Sequence, residues 1–151
     1  MELEHLVIRR PEFVADSKIK PEISVLVQTN SKRIPLNLEK LKTGQTVWLK
    51  WSSGPIVAKA KILSWHHGKI KGGDVNYARE LTAGTKLFYL NEYWNNISKK
   101  NNCFFVVVRL SNGEWLDKPI HLNARAYGSS WIYLDSEEKR KKVVIRLFAL
   151  T

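Results

Sequence analysis

One stretch of the sequence, residues 46–65 (TVWLKWSSGPIVAKAKILSW), contains three tryptophans and three lysines around a Ser-Ser-Gly-Pro connection. Indole rings offer flat apolar surfaces on which a nucleic-acid base can stack, and lysines offer positive charge to phosphates. A base taken out of its stack needs such rings on its faces and polar groups around its edge. The stretch therefore predicts a site for a planar, anionic guest. The candidate residues are Trp48, Trp51, Ser52, Ser53 and Trp65.

The same rings could instead be core residues. Trp48 and Trp51 are separated by an odd number of positions, so on a regular strand they point to opposite faces. We therefore expect one of the two in the core. Stacking of a base on a ring contributes about 1–3 kcal/mol, and burial of a large apolar side chain contributes a similar amount, so energetics alone do not choose. Trp51, which adjoins the turn and follows Lys50, is the better candidate for a wall of the site.

A second candidate region is residues 123–135 (NARAYGSSWIYLD). Its Gly-Ser-Ser loop has amides and hydroxyls that could hold a phosphate or the polar edge of a base. An arginine adds charge, and two aromatic residues add rings. The alternative is a plain strand connection whose rings pack inward. The candidate residues here are Arg125, Tyr127, Ser129, Ser130 and Trp131.

Basic residues predict the partner. The formal net charge is +11 and the pI is about 9.8, which indicates a polyanion, most often nucleic acid. Lys59 and Lys61 occupy alternate positions of one run and would form a stripe suited to a phosphate backbone, with Lys69, Lys71 and Arg79 downstream. An ordinary solvated strand face would give the same pattern.

Length and composition fit a globular chain. The 151 residues are enough for one domain with a core, and 44% are hydrophobic. No apolar run reaches the roughly 20 residues of a membrane span, and the acidic start is unlike a secretory signal, so we expect a cytoplasmic location. Cys103 is the single cysteine, and His66 and His67 lack a third ligand at suitable spacing. We therefore expect no metal and no cofactor, and we favour a monomer.

Short β-branched and aromatic runs separated by turn residues predict a mainly β fold, either a barrel or a curled sheet. Gly54 and Pro55 favour a hairpin between two of these runs. Helical spacing predicts two short helices, over residues 11–17 and 90–100. The predicted strands cover residues 6–9, 23–28, 46–51, 56–65, 103–110, 130–134 and 143–150.

The order of these elements resembles the PUA-like superfamily, and within it the ASCH and EVE branches. The resemblance rests on LEKLKTGQTVWLKWSSGPIVAKAKILSW, a strand, small-residue turn and "vvAkakV"-like strand, followed by EYWNNISKKNNCFFVVVRL. It covers roughly residues 5–110. It implies an α+β, mainly β fold: a PUA-like pseudo-barrel, a curled mixed sheet of about five to seven strands with short flanking helices. We expect one domain over residues 1–151, with 111–151 as an extension of it.

Two functions follow from this resemblance and from the residues. The first is a nucleic-acid binding module for RNA or DNA, including one that accepts a flipped or modified base in an aromatic cleft. The second is an ASCH-type hydrolase acting on RNA or a modified nucleoside. The resemblance implies a catalytic lysine, which Lys18 or Lys20 would match, although Pro21 and Glu22 stand where a threonine is expected. A protein–protein adaptor is a third possibility, and it would need an exposed apolar patch.

Overall fold

One curled six-stranded sheet dominates the fold. The structure is a computed structural model and describes residues 3–10, 24–121 and 130–135. The strands are β1 (Glu4–Arg9), β2 (Val25–Asn30), β3 (Thr46–Trp51), β4 (Ile56–Ile70), β5 (Cys103–Ile120) and β6 (Trp131–Leu134). The helices are α1 (Asn76–Glu80) and α2 (Asn91–Ser98), with 3-10 turns at Leu38–Lys40 and Lys86–Tyr89. The mainly β prediction is confirmed.

The sheet is mixed, with the strand order β2-β5-β4-β3-β1-β6. β1 and β3 are parallel, and the other neighbours are antiparallel. The two longest strands, β4 and β5, are neighbours in this order, and their pairing shifts register at three places. Such irregularities increase local twist and bend the strands. The bending lets one end of β5 pair with β2 while β3 pairs with the opposite half of β4, so the sheet curls.

Three apolar clusters pack against this sheet. The inner cluster includes Val7, Leu49 and Val106, all 1% exposed or less, and a smaller cluster on the opposite face of β1 and β3 includes Trp48. The outer cluster packs α2 against β5, and Trp94 is its largest fully buried side chain. The indole Nε1 of Trp94 donates to the carbonyl of Leu87 at 2.8 Å, so the buried polar group is satisfied. The helix predicted over residues 90–100 is confirmed, since α2 spans Asn91–Ser98.

The predicted hairpin is also confirmed, since β3 spans the predicted range and β4 begins at Ile56. The pattern predicts an end of β4 at residue 65, yet the strand continues to Ile70 because residues 66–69 pair with β5. β5 likewise runs past residue 110, so residues 111–120 belong to the same sheet as β6. The predicted helix at 11–17 and strand at 143–150 lie outside the described residues. No helix in the described ranges is long and apolar enough to cross a membrane.

Lys59 illustrates how little a half-exposed ion pair stabilises this fold. Its Nζ lies 3.2 Å from Glu114 Oε1 and 5.8 Å from the centroid of the Trp48 ring, and the two charged side chains are 41% and 59% exposed. Pairs of this kind contribute about 0–1 kcal/mol. We expect Lys59→Gln to lower the free energy of unfolding, measured in urea, by less than about 1 kcal/mol. A loss above about 2 kcal/mol would contradict this assignment.

Candidate nucleic-acid interface

The C-terminal end of β1 brings several predicted site residues together. Parallel pairing places Arg9 opposite Trp51, and the amide of Ser52 donates to the Arg9 carbonyl at 2.7 Å. The amide of Ile8 donates to the Ser130 carbonyl at 2.9 Å. The turn after β3 and the residue before β6 are therefore fixed on either side of β1.

A chain of side-chain hydrogen bonds joins this end of β1 to β2. Arg9 Nη2 donates to the Val27 carbonyl at 3.0 Å and to Gln28 Oε1 at 2.6 Å, and Gln28 Nε2 donates to Ser130 Oγ at 2.6 Å. Because a guanidinium only donates, Gln28 must present its oxygen to Arg9, which turns its amide NH₂ toward Ser130. We call the group formed by Arg9, Gln28, Trp51, Ser52 and Ser130 the seam site.

The charge of Arg9 has no carboxylate partner among the residues that the structure describes. Burial lowers the pKa of Arg9 to about 10, so the side chain is still a cation at neutral pH. The nearby Tyr93 has its pKa raised by burial to about 12. Nη1 donates one hydrogen bond, to the Ile8 carbonyl, and Nε–H makes none within the described ranges. Desolvating a cation without a counter-charge is costly, which favours an anionic ligand here.

The seam site is rich in hydrogen-bond donors. Ser130 is exposed and its Oγ accepts from Gln28, so its own hydroxyl hydrogen can be donated. Arg9 adds the two N–H groups that its described contacts leave unused. A set of donors around a cation matches the oxygens of a phosphate or the carbonyls of a base.

Trp51 lies beside these donors with its ring half-buried. It packs on the inner cluster and contacts Trp115, with ring centroids 5.7 Å apart and planes inclined by 48°. Gly54 closes the turn, and a Cβ at this position would stand 2.9 Å from Trp51 Cβ, so the close approach requires glycine. Ser52 and Ser53 are exposed, and Ser53 has a φ of 60°. The turn thus presents two hydroxyls next to an indole.

Two other predicted tryptophans are core residues. Trp48 is 6% exposed, and its Nε1 donates to Glu4 Oε2 at 2.9 Å. Trp131 is 5% exposed, and its Nε1 donates to Nδ1 of His5 at 3.1 Å. Both rings can support a site but do not form an open wall, because packing covers their faces. Trp48 is thus the core member of the pair formed with Trp51.

The predicted basic residues lie away from the seam site. Lys59 and Lys61 are on the hairpin face opposite Trp51, and Lys59 pairs with Glu114. Arg79 donates from Nε to the Phe88 carbonyl at 2.8 Å and from Nη2 to an Asn91 side chain. Arg79 therefore ties α1 to the following 3-10 turn. Trp65 is half-buried against the inner cluster, further along β4.

Five candidates lie outside the described residues, and their roles stay predictions: Lys18, Lys20, Arg125, Tyr127 and Ser129. Sequence reasoning missed Arg9, Gln28 and Trp115. The one local signal for Arg9 is a charge at the end of the apolar run LVIR. Trp115 has a buried Nε1 without an acceptor in the described part of the chain, which marks it as unusual. Within the same ranges, no cluster of His, Cys, Asp or Glu could hold a metal ion.

The curled mixed sheet with two short helices is a PUA-like pseudo-barrel. Its fold is similar to the crystal structure of ASCH from Zymomonas mobilis, with a TM-score of 0.62, 16% identity, and coverage of 94% of each chain. Two mutant forms of that protein give the same TM-score at 16% and 17% identity. The expected ASCH/PUA-like fold is confirmed. No protein-family model and no curated protein sequence matches the chain.

Proposed function

We propose that the protein binds nucleic acid, RNA or DNA, at the seam site. The observation that supports this most is Arg9, a half-buried cation with no carboxylate partner among the described residues and with unused N–H donors. A phosphate would supply the missing counter-charge and accept those hydrogen bonds. Gln28 and Ser130 extend the donor set toward solvent. The basic net charge favours approach of the same partner.

Trp51 gives this site a surface for a base. Its half-exposed indole adjoins the two hydroxyls of the Ser52–Ser53 turn, which could contact the edge of a stacked base. Stacking requires an unpaired base, so the proposed ligand is single-stranded or presents a flipped base. The proposed ligands include a modified base whose added group contacts the hydroxyls of this turn.

Trp51→Ala is expected to weaken binding of a single-stranded oligonucleotide about 5- to 30-fold, because ring stacking contributes on the order of 1–2 kcal/mol for a partly exposed indole. Fluorescence anisotropy of a labelled oligonucleotide at low salt measures the effect. Trp65→Ala is the matched control, since that ring packs on the same inner cluster but lies further along β4, where it pairs with Val108. Intrinsic tryptophan fluorescence that stays constant as oligonucleotides with and without modified bases are added would refute the proposed function.

A hydrolase acting on RNA or an acylated nucleoside is the second candidate. Lys50 favours it, because burial lowers the pKa of this lysine and a lysine with a lowered pKa can act as a base. Its Nζ donates to the carbonyl of Trp51 at 3.0 Å, next to the seam site. Turnover that is lost in Lys50→Met, Lys18→Ala or Lys20→Ala would establish this activity. If the protein binds nucleic acid but turns over neither RNA nor the acylated nucleoside, the binding function stands and the hydrolase is excluded.

A further inference from the structure

Six basic residues gather at one end of the sheet. β2 ends at Asn30, β4 ends at Ile70 and β5 begins at Cys103, and the register pairs Asn30 with Phe104 and Phe104 with Lys69. The segments that enter and leave these strand ends are therefore neighbours. The basic end, as we call it, consists of Lys32, Arg33, Lys69, Lys71, Lys99 and Lys100.

Hydrogen bonds hold these segments in fixed positions. The amide of Gly73 donates to the Asn101 carbonyl at 2.7 Å, and Ser98 Oγ donates to the Gly73 carbonyl at 2.7 Å. The turn that bears Lys71 is thereby attached to the end of α2. Lys100 Nζ donates to Thr29 Oγ1 at 2.9 Å, which connects α2 to β2. The arrangement exists before any partner arrives, so little conformational freedom is lost on binding.

Glycine is needed for this attachment. Gly73 has a φ of 75°, and a Cβ there would lie 2.8 Å from the backbone oxygen of Ser98. The left-handed conformation and the close approach together exclude a side chain. The position of Lys71 relative to α2 is thus built into the backbone.

The charges of the basic end are uncompensated within the described residues. None of its six cations forms an ion pair there, in contrast to Lys59 with Glu114 and Lys40 with Asp135. The acid in this region is Asp74, whose Oδ1 accepts from the amide of Asn76 at 3.0 Å. Several like charges held close together attract a polyanion strongly and repel one another in its absence.

The basic end is continuous with the seam site along β2. Gln28 belongs to the seam site, and Asn30, two residues further on, is paired with Phe104 at the basic end. Two residues of a strand span about 6.7 Å. Phe104 is half-buried, with Lys69 Nζ 5.3 Å from its ring centroid. A chain held at Gln28 can therefore pass directly onto a surface of lysines.

We propose that the basic end binds the sugar-phosphate backbone of a single-stranded nucleic acid whose neighbouring nucleotide lies in the seam site. This inference rests on the proposed function and adds the path of the strand. It assigns the contact with the sugar-phosphate backbone to the basic end and not to the predicted stripe of Lys59 and Lys61. That stripe lies on the hairpin face opposite Trp51, and Glu114 pairs with Lys59 there. The partner is single-stranded because the seam site needs an unpaired base.

Two double variants of equal charge test this proposal. Lys71→Gln with Lys99→Gln alters the basic end at two side chains that make no hydrogen bond or ion pair in the described ranges. Lys59→Gln with Lys61→Gln also removes two positive charges, but from the hairpin face. Affinities for labelled oligouridylate and oligothymidylate are measured over a series of salt concentrations. Each lost phosphate contact on a single strand lowers the slope of log K against log salt by about 0.7, so the first variant should flatten it by about 1.4. The second should leave the slope unchanged.

The possible outcomes are distinct. A flatter slope in the Lys71 and Lys99 variant alone supports the basic end. Equal flattening in both variants indicates diffuse attraction only and overturns it, as does flattening confined to Lys59 and Lys61. If Trp51→Ala weakens binding while the Lys71 and Lys99 variant behaves as wild type, the seam site stands and the basic end is excluded. Wild-type protein that binds neither oligonucleotide removes both proposals.

Discussion

Arg9→Gln should weaken oligonucleotide binding about 10- to 150-fold, since a hydrogen bond to a charged group contributes about 1.5–3 kcal/mol. The substitution removes the half-buried cation and its unused donors. The affinity of Arg9→Lys should lie between those of wild type and Arg9→Gln, because lysine keeps the positive charge but lacks the planar guanidinium group. Anisotropy titrations at one fixed low salt concentration give the three affinities.

Stability measurements separate a binding role of Arg9 from a structural one. In the free protein, Arg9→Gln loses the bonds to the Val27 carbonyl and Gln28, but it also removes a desolvated cation. These terms oppose each other, so we expect the loss of affinity to exceed the loss of unfolding free energy. Ser130→Ala is a milder companion variant, because this serine is exposed and outside the core. Wild-type affinity in both Arg9→Gln and Ser130→Ala would exclude the seam site.

The parts of the fold that sequence predicts are those fixed by local pattern. β3 and the start of β4 follow from alternation and from the Gly54–Pro55 turn, and α2 follows from the three- and four-residue spacing of its apolar residues. The continuation of β4 through residues 66–69 has no such alternation. Those residues are held in strand conformation by pairing with β5, which no local pattern reports.

The candidate site divides in the same way. Trp51, Ser52 and Ser130 can be identified from residue type beside a turn. Arg9 and Gln28 cannot, because their contacts join residues 19 positions apart, and the next bond of the chain joins residues 102 positions apart. The choice between Trp48 and Trp51 as the core ring is also decided by long-range packing: Trp51 lies at the edge of the inner cluster, while Trp48, on the opposite face of β3, is buried in a separate cluster with residues of β1, β4, β5 and β6.

Charge is the clearest case of long-range assembly. The alternation of Lys59 and Lys61 is correctly predicted as one strand face, but Glu114 on β5 stands opposite Lys59 and is 55 positions away along the chain. The basic end combines residues from the β2–β3 connection, β4 and the end of α2. Positive charge that is spread evenly along the sequence is thus concentrated at one part of the surface. Such a concentration is what a defined path of the nucleic-acid backbone requires.

A buried histidine supplies the last prediction. His5 is 0% exposed, its Nε2 lies 2.7 Å from Gln45 Oε1, and its Nδ1 accepts from Trp131 Nε1 at 3.1 Å. Gln45 Oε1 also accepts from the backbone amide of Lys42, so it acts only as an acceptor, and His5 must carry its hydrogen on Nε2. Protonation would place a second hydrogen on Nδ1, facing the indole N–H. The neutral ring is therefore the form that fits.

Burial lowers the pKa of His5 below its ordinary value of 6.5; the hydrogen bond to Gln45 and the charge of Glu4 oppose this shift, and Lys40 adds to it. The unfolded chain takes up a proton near pH 6.5 while the folded protein does not. The stabilisation is thus complete above pH 6.5 and is lost as the pH falls toward the folded pKa, by about 1.4 kcal/mol per pH unit.

We expect urea unfolding to show this loss between pH 6.5 and pH 5, above the range in which ordinary carboxylates titrate. His5→Gln can keep an acceptor for Trp131 and a donor for Gln45, and it should abolish the dependence in this window. The double variant His66→Gln and His67→Gln changes two exposed histidines and should retain it. If the free energy of unfolding of the wild type does not change between pH 6.5 and pH 5, the assignment of a neutral His5 in the folded protein is wrong. Because Trp131 directly follows Ser130, the same acidification should weaken oligonucleotide binding at the seam site in wild type more than in His5→Gln.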